Sequence, residues 1–280
     1  MEIFTTPDAI RSFSRSVRSS GRTVAFVPTM GALHMGHISL VERARRECDE
    51  VVLSIFVNPA QFNVASDFDK YPRTMESDLR LARDAGVSAV YAPTPEIMYP
   101  AGFDTVVHVE RTAAPLEGAG RPGHFDGVAT VVTKLLAATE PDVAVFGQKD
   151  FQQLAVVRRL VADLDLPVRI IGAETVREPD GLAMSSRNSR LSAGARESAP
   201  VIKRALDAAA ASLRTDGDAD SARESFARTL ADEPAARVEY VSVADAVSLD
   251  EIEHLAAPAV ISCAVWFDEV RLIDNVVVVP

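Results

Sequence analysis

Cysteine is scarce in this 280-residue chain, and positive charge is outnumbered by negative charge. The two cysteines, Cys48 and Cys263, lie far apart and have no CxxC spacing, so neither a disulfide framework nor a structural zinc site is indicated. This usage favours a reducing cytoplasm. With 29 Lys and Arg against 40 Asp and Glu, the net charge of −11 argues against a nucleic-acid partner, because a polyanion is repelled by an acidic surface.

Long apolar runs are also missing. The longest candidate, from Ala256 to Phe267, is interrupted by Pro258 and Ser262. It is shorter than the ~20 apolar residues that a bilayer requires. The sequence therefore predicts a soluble protein with no membrane partner.

Hydrophobic residues nevertheless make up 48% of the chain, which is enough for a buried core. Short β-branched runs alternate with segments whose apolar residues recur every three to four positions, such as Ile38, Val41, Ala44 and Cys48. This alternation predicts an α/β fold, a Rossmann-like parallel sheet with helices on both faces. The strands predicted for it are residues 23–27, 51–57, 89–92, 105–109, 143–146 and 168–171.

The pattern changes after about residue 175. Two helical stretches rich in Ala and Arg, 193–213 and 221–232, come first. Three strand-like segments follow at 238–243, 259–267 and 270–278. The order predicts a smaller α+β domain, which divides the chain into domains 1–175 and 176–280.

The segment after the first predicted strand, residues 28–37, leads directly into a helix. His34 and His37 project from the same side of its first turn, where backbone N–H groups and the helix dipole favour an anion. Gly36 removes a side chain between them and allows a bulky ligand to approach. The pattern favours a phosphate site with two imidazole donors. A His-x-x-His metal pair and simple capping residues are the alternatives.

Polar residues also follow two other strands. Asn58 and Gln61 come after the second strand, and Gly147, Lys149, Asp150 and Gln153 come after the fifth. Ligands of open parallel sheets bind beyond the carboxyl ends of the strands. The ammonium of Lys149 suits an anion, and the two glutamine amides suit the hydroxyls and carboxylate of a small substrate. Surface solvation is the alternative for the glutamines.

A third polar stretch, residues 180–189, lies at the junction to the second domain. Ser185, Ser186 and Arg187 combine two hydroxyls with a guanidinium after Gly181, a composition that can close over a polyphosphate. A plain helix-capping turn is the alternative.

These segments belong to a set of six motifs that occur in a fixed order along the chain. The chain contains PTMGALHMGH (28–37), SIFVNPAQF (54–62), YPRT (71–74), RPGHF (121–125), FGQKDFQQL (146–154) and DGLAMSSRN (180–188). In this order they closely resemble the pantoate–β-alanine ligase (pantothenate synthetase) family. The HMGH motif is similar to the HxGH signature of nucleotidylyltransferases and class I aminoacyl-tRNA synthetases, and MSSRN stands where the synthetases have their KMSKS loop.

The resemblance implies an ATP-dependent condensation of pantoate with β-alanine through pantoyl adenylate, with release of pyrophosphate and AMP. It implies that His34 and His37 stabilise the phosphates, with His37 as the proton donor. The residues implied to hold the β- and γ-phosphates are Lys149, Ser185, Ser186 and Arg187, and those implied to line the nucleotide site are Met30, Gly31, Gly147, Asp150, Val176 and Met184. Gln61 and Gln153 are expected to hold pantoate, together with Met30 and Asn58.

The family further implies Mg²⁺ and a homodimer. Asp78, after YPRT, is the candidate outer-shell metal ligand, and a capping carboxylate is its alternative reading. Residues 117–124 are interpreted either as a lid or as an ordinary connecting loop. Two other functions remain open from the sequence: a nucleotidylyltransferase acting on a small phosphate ester, and a nucleotide-binding module without catalysis.

Overall fold

The apolar runs of the first part of the chain form one six-stranded parallel sheet in the computed structural model, which describes residues 1–63 and 68–280. Its strands are β1 (Glu2–Phe4), β2 (Val24–Thr29), β3 (Glu50–Ile55), β4 (Ala89–Tyr91), β5 (Val143–Gly147) and β6 (Arg169–Ala173). Side by side they lie in the order β1-β4-β3-β2-β5-β6.

The helices of this part are α1 (Pro7–Ser19), α2 (Met35–Glu47), α3 (Met75–Asp84), α4 (Pro95–Met98), α5 (Glu110–Ala113), α6 (Glu117–Gly120), α7 (His124–Thr139) and α8 (Phe151–Asp163). They cover both faces of the sheet, so alternate strand residues belong to two different cores. Phe26 and Val52 pack in one cluster with residues of α1, α7 and α8. Val27 and Leu53 pack in another with residues of α2 and α3. The predicted fold class is confirmed, and the continuous apolar runs reflect burial from both sides.

The sheet has a point at which its strand order reverses. From β2 the chain moves outward to β3 and β4, and it then returns to the other side of β2 for β5 and β6. Ligands of open parallel sheets bind beyond the carboxyl ends of the strands at such a point. Here those ends are Thr29 of β2 and Gly147 of β5.

Two details of the strand prediction are wrong. Residues 105–109 do not form a strand, because they lie against α7, where the Val107 N–H donates to Thr130 Oγ1 at 2.9 Å. The sheet has instead an edge strand, β1, paired with β4. With only three residues, β1 is too short to show a periodicity in the sequence.

The described residues divide into two compact units, Met1–Gln148 with Gln153–Glu174, and Lys149–Gln152 with Thr175–Pro280. The second unit has its own core of helix and sheet residues. Its helices are α9 (Ala193–Ser198), α10 (Val201–Asp216) and α11 (Ala219–Ala231), and its antiparallel strands, in the order β7-β8-β9, are β7 (Ala236–Asp245), β8 (Ala259–Phe267) and β9 (Val270–Val278).

The helical stretch predicted at 193–213 is interrupted. Pro200 separates α9 from α10 because it has no N–H with which to continue a helix. No helix within the described residues has the length and apolar character that a membrane span requires.

An ion-pair cluster connects α1 to the end of α7. Arg15 donates to both carboxylate oxygens of Glu140, at 3.0 and 2.6 Å, and Arg18 donates to one of them at 2.7 Å. These hydrogen bonds, chiefly those from Arg15, hold the pKa of the Glu140 carboxyl below its usual value.

We expect Glu140→Gln to lower the free energy of unfolding at neutral pH by about 0.2–1 kcal/mol, the usual range for such pairs. A carboxyl whose pKa is lowered by folding stabilises the protein above its unfolded pKa of about 4.3, and this contribution is lost as the pH falls through the folded pKa. The difference between variant and parent should therefore shrink toward about pH 3. Urea unfolding across this range is the measurement, with the exposed Glu224→Gln as control. A pH-independent difference would contradict the prediction.

Candidate active site

The loop after β2 has its backbone N–H groups taken up by side chains. Gly31 N–H donates to Thr29 Oγ1 at 3.1 Å, and the next two N–H groups, of Ala32 and Leu33, donate to the Asp78 carboxylate at 3.0 and 2.8 Å. Gly31 and Ala32 both have left-handed backbone angles, with φ of 81° and 49°. For alanine this conformation costs on the order of 1–3 kcal/mol, so the surrounding hydrogen bonds must hold it.

The two histidines cap the helix that follows this loop. His34 Nδ1 accepts from Gly36 N–H at 3.1 Å, and His37 Nδ1 accepts from His34 N–H at 3.3 Å. A ring nitrogen that accepts from a backbone N–H carries no proton, so each neutral imidazole has its proton on Nε2. The ring centroids are 4.2 Å apart. Both histidines are therefore capping residues, as one of the alternatives predicted. The capping bonds leave each ring with an Nε2–H donor at the positive end of α2.

Asp78 is buried beneath this loop, with 2% of its surface exposed. In addition to the two backbone N–H groups, it accepts from the Thr74 hydroxyl at 3.1 and 3.2 Å. Both carboxylate oxygens therefore accept from protein donors, and the outer-shell role at Mg²⁺ stays a prediction. Within residues 1–63 and 68–280, no three or more His, Cys, Asp or Glu side chains are grouped so that they could hold a metal ion.

A second cluster gathers three predicted substrate residues at the ends of β2 and β3. The Gln61 amide donates to Met30 Sδ at 3.0 Å and accepts from Asn58 Nδ2 at 3.1 Å. Asn58 is almost fully buried and also contacts the carbonyl of Gly127 and the hydroxyl of Tyr99, at 3.1 and 2.7 Å. Burial raises the pKa of Tyr99 to about 12, so its phenol stays protonated and donates.

The backbone of this turn is held by the RPGHF motif and the start of α7. Arg121 and His124 both donate to the Gln61 carbonyl, at 3.2 and 2.8 Å. A Cβ atom on Gly127 would lie 2.3 Å from the Ala60 carbonyl oxygen and 2.8 Å from Gln61 N. Only glycine allows α7 to approach the turn this closely.

Two further predicted residues belong to the same unit. Gly147 is the last residue of β5, and Gln153 lies in the first turn of α8; both are half-buried. The parallel topology sets Gly147 at the same edge of the sheet as Thr29.

The remaining predicted residues lie in the second unit. Lys149 is half-buried and Asp150 exposed, and the carbonyl of Lys149 accepts from the buried Asn275 amide at 2.9 Å. Val176 and Met184 face each other across a short hairpin, in which Met184 N–H donates to the Val176 carbonyl at 2.9 Å.

The MSSRN stretch continues from this hairpin into a 3₁₀ turn, Ser186–Arg190. Ser185 caps the turn by accepting from Arg187 N–H at 3.2 Å, and the Arg187 side chain is exposed. The hairpin itself is anchored to β9 by Arg177, which donates to Asp274 at 2.6 and 3.0 Å.

The sequence pattern assigns no role to the supporting residues, which are Thr29, Tyr99, Gly127, Arg177, Asp274 and Asn275. A glycine inside a helical pattern was the available signal for Gly127, since glycine weakens a helix unless a close contact needs it. The others are ordinary polar residues whose partners are distant in sequence.

Comparison with known proteins agrees with the expected family. The family model described as pantoate-beta-alanine ligase matches residues 2–277. A curated pantothenate synthetase of Heliobacterium modesticaldum is 52% identical over 269 residues, covering 95% of each chain. The crystal structure of pantothenate synthetase from Thermus thermophilus superposes with a TM-score of 0.94, at 46% identity over the full length of both chains.

The Francisella tularensis pantoate-beta-alanine ligase, solved in complex with beta-gamma ATP and beta-alanine, has a TM-score of 0.79 at 34% identity and covers 99% of this chain and 97% of its own. The agreement thus extends over both units of the chain. The chain belongs to the pantoate–β-alanine ligase, or pantothenate synthetase, family of ligases.

Proposed function

We propose that this protein joins pantoate to β-alanine in two half-reactions that consume ATP. A carboxylate oxygen of pantoate attacks the α-phosphorus, the bond to the bridging oxygen breaks, and pyrophosphate leaves. The β-alanine amine then attacks the acyl carbon, loses a proton, and displaces AMP. Activation is needed because a free carboxylate would have to expel oxide, whereas the mixed anhydride expels a stable phosphate monoester.

One observation carries this proposal: two imidazoles with Nε2–H groups stand at the start of α2, beyond the strand at which the sheet order reverses. As the α-phosphorus is attacked, negative charge grows on its oxygens and on the departing pyrophosphate. Neutral, oriented N–H donors stabilise such charge without reorganising. His34 and His37 take this role as hydrogen-bond donors, because a neutral imidazole donates a hydrogen bond without giving up its Nε2 proton. The proton-donor role that the family resemblance implies for His37 requires the imidazolium form.

Pantoate lies beside these histidines, against Gln61 and Met30, in the proposed site. Uncharged amides can donate to a carboxylate and accept from hydroxyls, and Gln153 supplies a second amide. The hydrogen-bonding groups of the Asn58 amide are already used by four protein partners, Gln61, Gly127, Ala60 and Tyr99. Asn58 therefore acts on pantoate by orienting Gln61.

The domain assignment is part of the same proposal. Residues 1–175 bind nucleotide and pantoate, and Met30, Gly31 and Gly147 line the nucleotide there. Residues 176–280 carry the phosphate-closing segment. Lys149, Ser185, Ser186 and Arg187 bind the β- and γ-phosphates, while Asp150 accepts from ribose hydroxyls and Val176 and Met184 line the adenosine. The family resemblance supports these roles, together with the capped turn at Ser185.

Mg²⁺ does not fit a protein-held site among the described residues, because they contain no cluster of metal-binding side chains and the Asp78 oxygens have other partners. The ion keeps water as most of its ligands when it accompanies a triphosphate. We propose that Mg²⁺ binds through ATP and not through this chain.

The same family supports a homodimer in the cytoplasm. The free thiols of Cys48 and Cys263 agree with a reducing compartment. Light scattering would determine the oligomeric state.

The reaction order predicts that ATP–pyrophosphate exchange requires pantoate and proceeds without β-alanine, because adenylation precedes amine attack. The measurement is incorporation of labelled pyrophosphate into ATP, with each substrate omitted in turn. Exchange that is indifferent to pantoate would remove this function and favour a nucleotidylyltransferase or a binding module.

One substitution separates the two roles of His37, which accepts from the His34 N–H through Nδ1 and donates to the phosphates through Nε2. In His37→Asn, Oδ1 replaces Nδ1 and preserves the cap on His34 N–H, but the Nε2–H donor is lost. We expect adenylation to slow by on the order of 10²-fold, the usual loss for one oriented donor, with an unchanged unfolding midpoint. Single-turnover formation of pantoyl adenylate measures this, and exposed His254→Ala is the control. Unchanged adenylation in His37→Asn would show that His37 only caps the helix.

Gly127→Ala tests whether the close packing of α7 against residues 60–61 positions Gln61. The added methyl would press on the Ala60 carbonyl and shift the turn, so we expect KM for pantoate in the exchange assay to rise about tenfold, with KM for ATP nearly unchanged. Gly194→Ala is the matched control, because its Cβ would meet nothing within 4 Å. Equal losses for pantoate and ATP would count against this map of the site.

A further inference from the structure

We propose that Asp78 is a positioning residue: it holds residues 31–33 in a turn whose first two residues have left-handed angles, and thereby presents His34 to the reacting phosphate. The inference deepens the proposed function and rests on it. It also replaces the metal-ligand interpretation of Asp78.

The Asp78 carboxylate holds the loop backbone through two hydrogen bonds. Its Oδ2 accepts from Ala32 N–H at 3.0 Å and its Oδ1 from Leu33 N–H at 2.8 Å, so one carboxylate binds two successive peptide groups. Hydrogen bonds from neutral donors to a carboxylate are stronger than bonds between neutral groups. The residue is 2% exposed, so water competes little for these donors.

The position of the carboxylate is fixed from its own side as well. Asp78 lies in the first turn of α3, and the Thr74 hydroxyl that precedes this helix donates to both of its oxygens. The Thr74 side chain therefore does not cap the N–H groups of α3. It orients the Asp78 carboxylate instead.

The loop is shaped to receive this carboxylate. A Cβ atom on Gly31 would lie 2.9 Å from Oδ2, closer than such atoms come in practice. Gly31 therefore provides both the positive φ and the space. Ala32 has a positive φ without being glycine, and its N–H is one of the two that Asp78 binds.

The anchored turn ends one residue before the catalytic pair. His34 has an extended backbone, with φ −141° and ψ 176°, and its N–H must face His37 Nδ1 for the cap to form. If Gly31 and Ala32 relaxed to right-handed angles, the direction of the chain entering His34 would change and both imidazoles would lose their orientation. Displacements of about 1 Å at a reacting centre can reduce the rate about 10²-fold.

The experiment compares Asp78→Asn with Asp84→Asn, the same substitution at an exposed position of the same helix. An asparagine at position 78 has one acceptor oxygen where two backbone N–H groups need one each, so its NH₂ group must oppose one of them. We expect the maximal exchange rate of Asp78→Asn to fall at least about tenfold at saturating Mg²⁺, with KM for ATP changed by less than about threefold. The Mg²⁺ concentration for half-maximal rate should stay at the parent value.

Hydrogen exchange of the amides of residues 32 and 33 is the second readout, since it requires no activity. These amides should exchange faster in Asp78→Asn than in Asp84→Asn, while the amides of β2 remain protected. Thr74→Val, which removes the hydroxyl that orients the carboxylate and leaves Asp78 in place, should lower the rate in the same direction if Asp78→Asn folds too poorly to assay.

Three results would overturn the proposal: an unchanged rate per folded molecule, protected amides at residues 32 and 33 in Asp78→Asn, or restoration of the rate by raised Mg²⁺. The last would return Asp78 to the role of metal ligand. Failure of the proposed ligase function would appear separately, as pantoate-independent exchange in the parent protein, and the hydrogen-exchange comparison would still test the anchor.

Discussion

The hydrogen bonds that pair the N–H groups of residues 31–34 are the constraint on which this site depends. After β2 the chain leaves a buried parallel strand and enters a helix, so these donors have no ladder partner, and a buried donor without a partner is costly. Side chains supply the partners: Thr29, Asp78 and the ring of His37. The same bond that pairs His34 N–H also places the His37 proton on Nε2. Satisfying the backbone and preparing the donor are therefore one arrangement.

Fully paired hydrogen-bonding groups also position the residues proposed to bind pantoate. Asn58 is buried and uses both protons and both acceptor positions of its amide, so it can take only one orientation. It transmits that orientation to Gln61, whose carbonyl is held by the RPGHF motif and whose amide touches Met30. A polar group on a short turn becomes a defined contact when the groups behind it are fully paired. Gly127 is part of this frame because it has no side chain to separate α7 from the turn.

Much of the fold could be predicted from the sequence, for reasons that are local. A strand buried on both faces needs a continuous apolar run, and β2, β3 and β5 each have one. Periodicity failed where the deciding contact was elsewhere. Residues 105–109 have the apolar residues of a strand, but they lie against α7, because Thr130 accepts the hydrogen bond of the Val107 N–H. The short edge strand β1 and the interruption at Pro200 were missed for the opposite reason, because too few residues carry each signal.

The sequence by itself determined the family, the α/β class and the chemistry-bearing segments at the strand ends, because ordered motifs and apolar periods lie within short stretches of the chain. Only the tertiary structure decided what those residues do for one another. Which ring nitrogen of His37 is protonated, why Ala32 tolerates a left-handed angle and what the Asp78 carboxylate binds all depend on donor–acceptor geometry. For Asp78 the partners are 45 and 46 residues away, brought to 2.8 and 3.0 Å by the order of the strands. Hydrogen bonds of this kind leave no periodic trace in the chain, since any residue of suitable polarity can make them once the fold sets the distance.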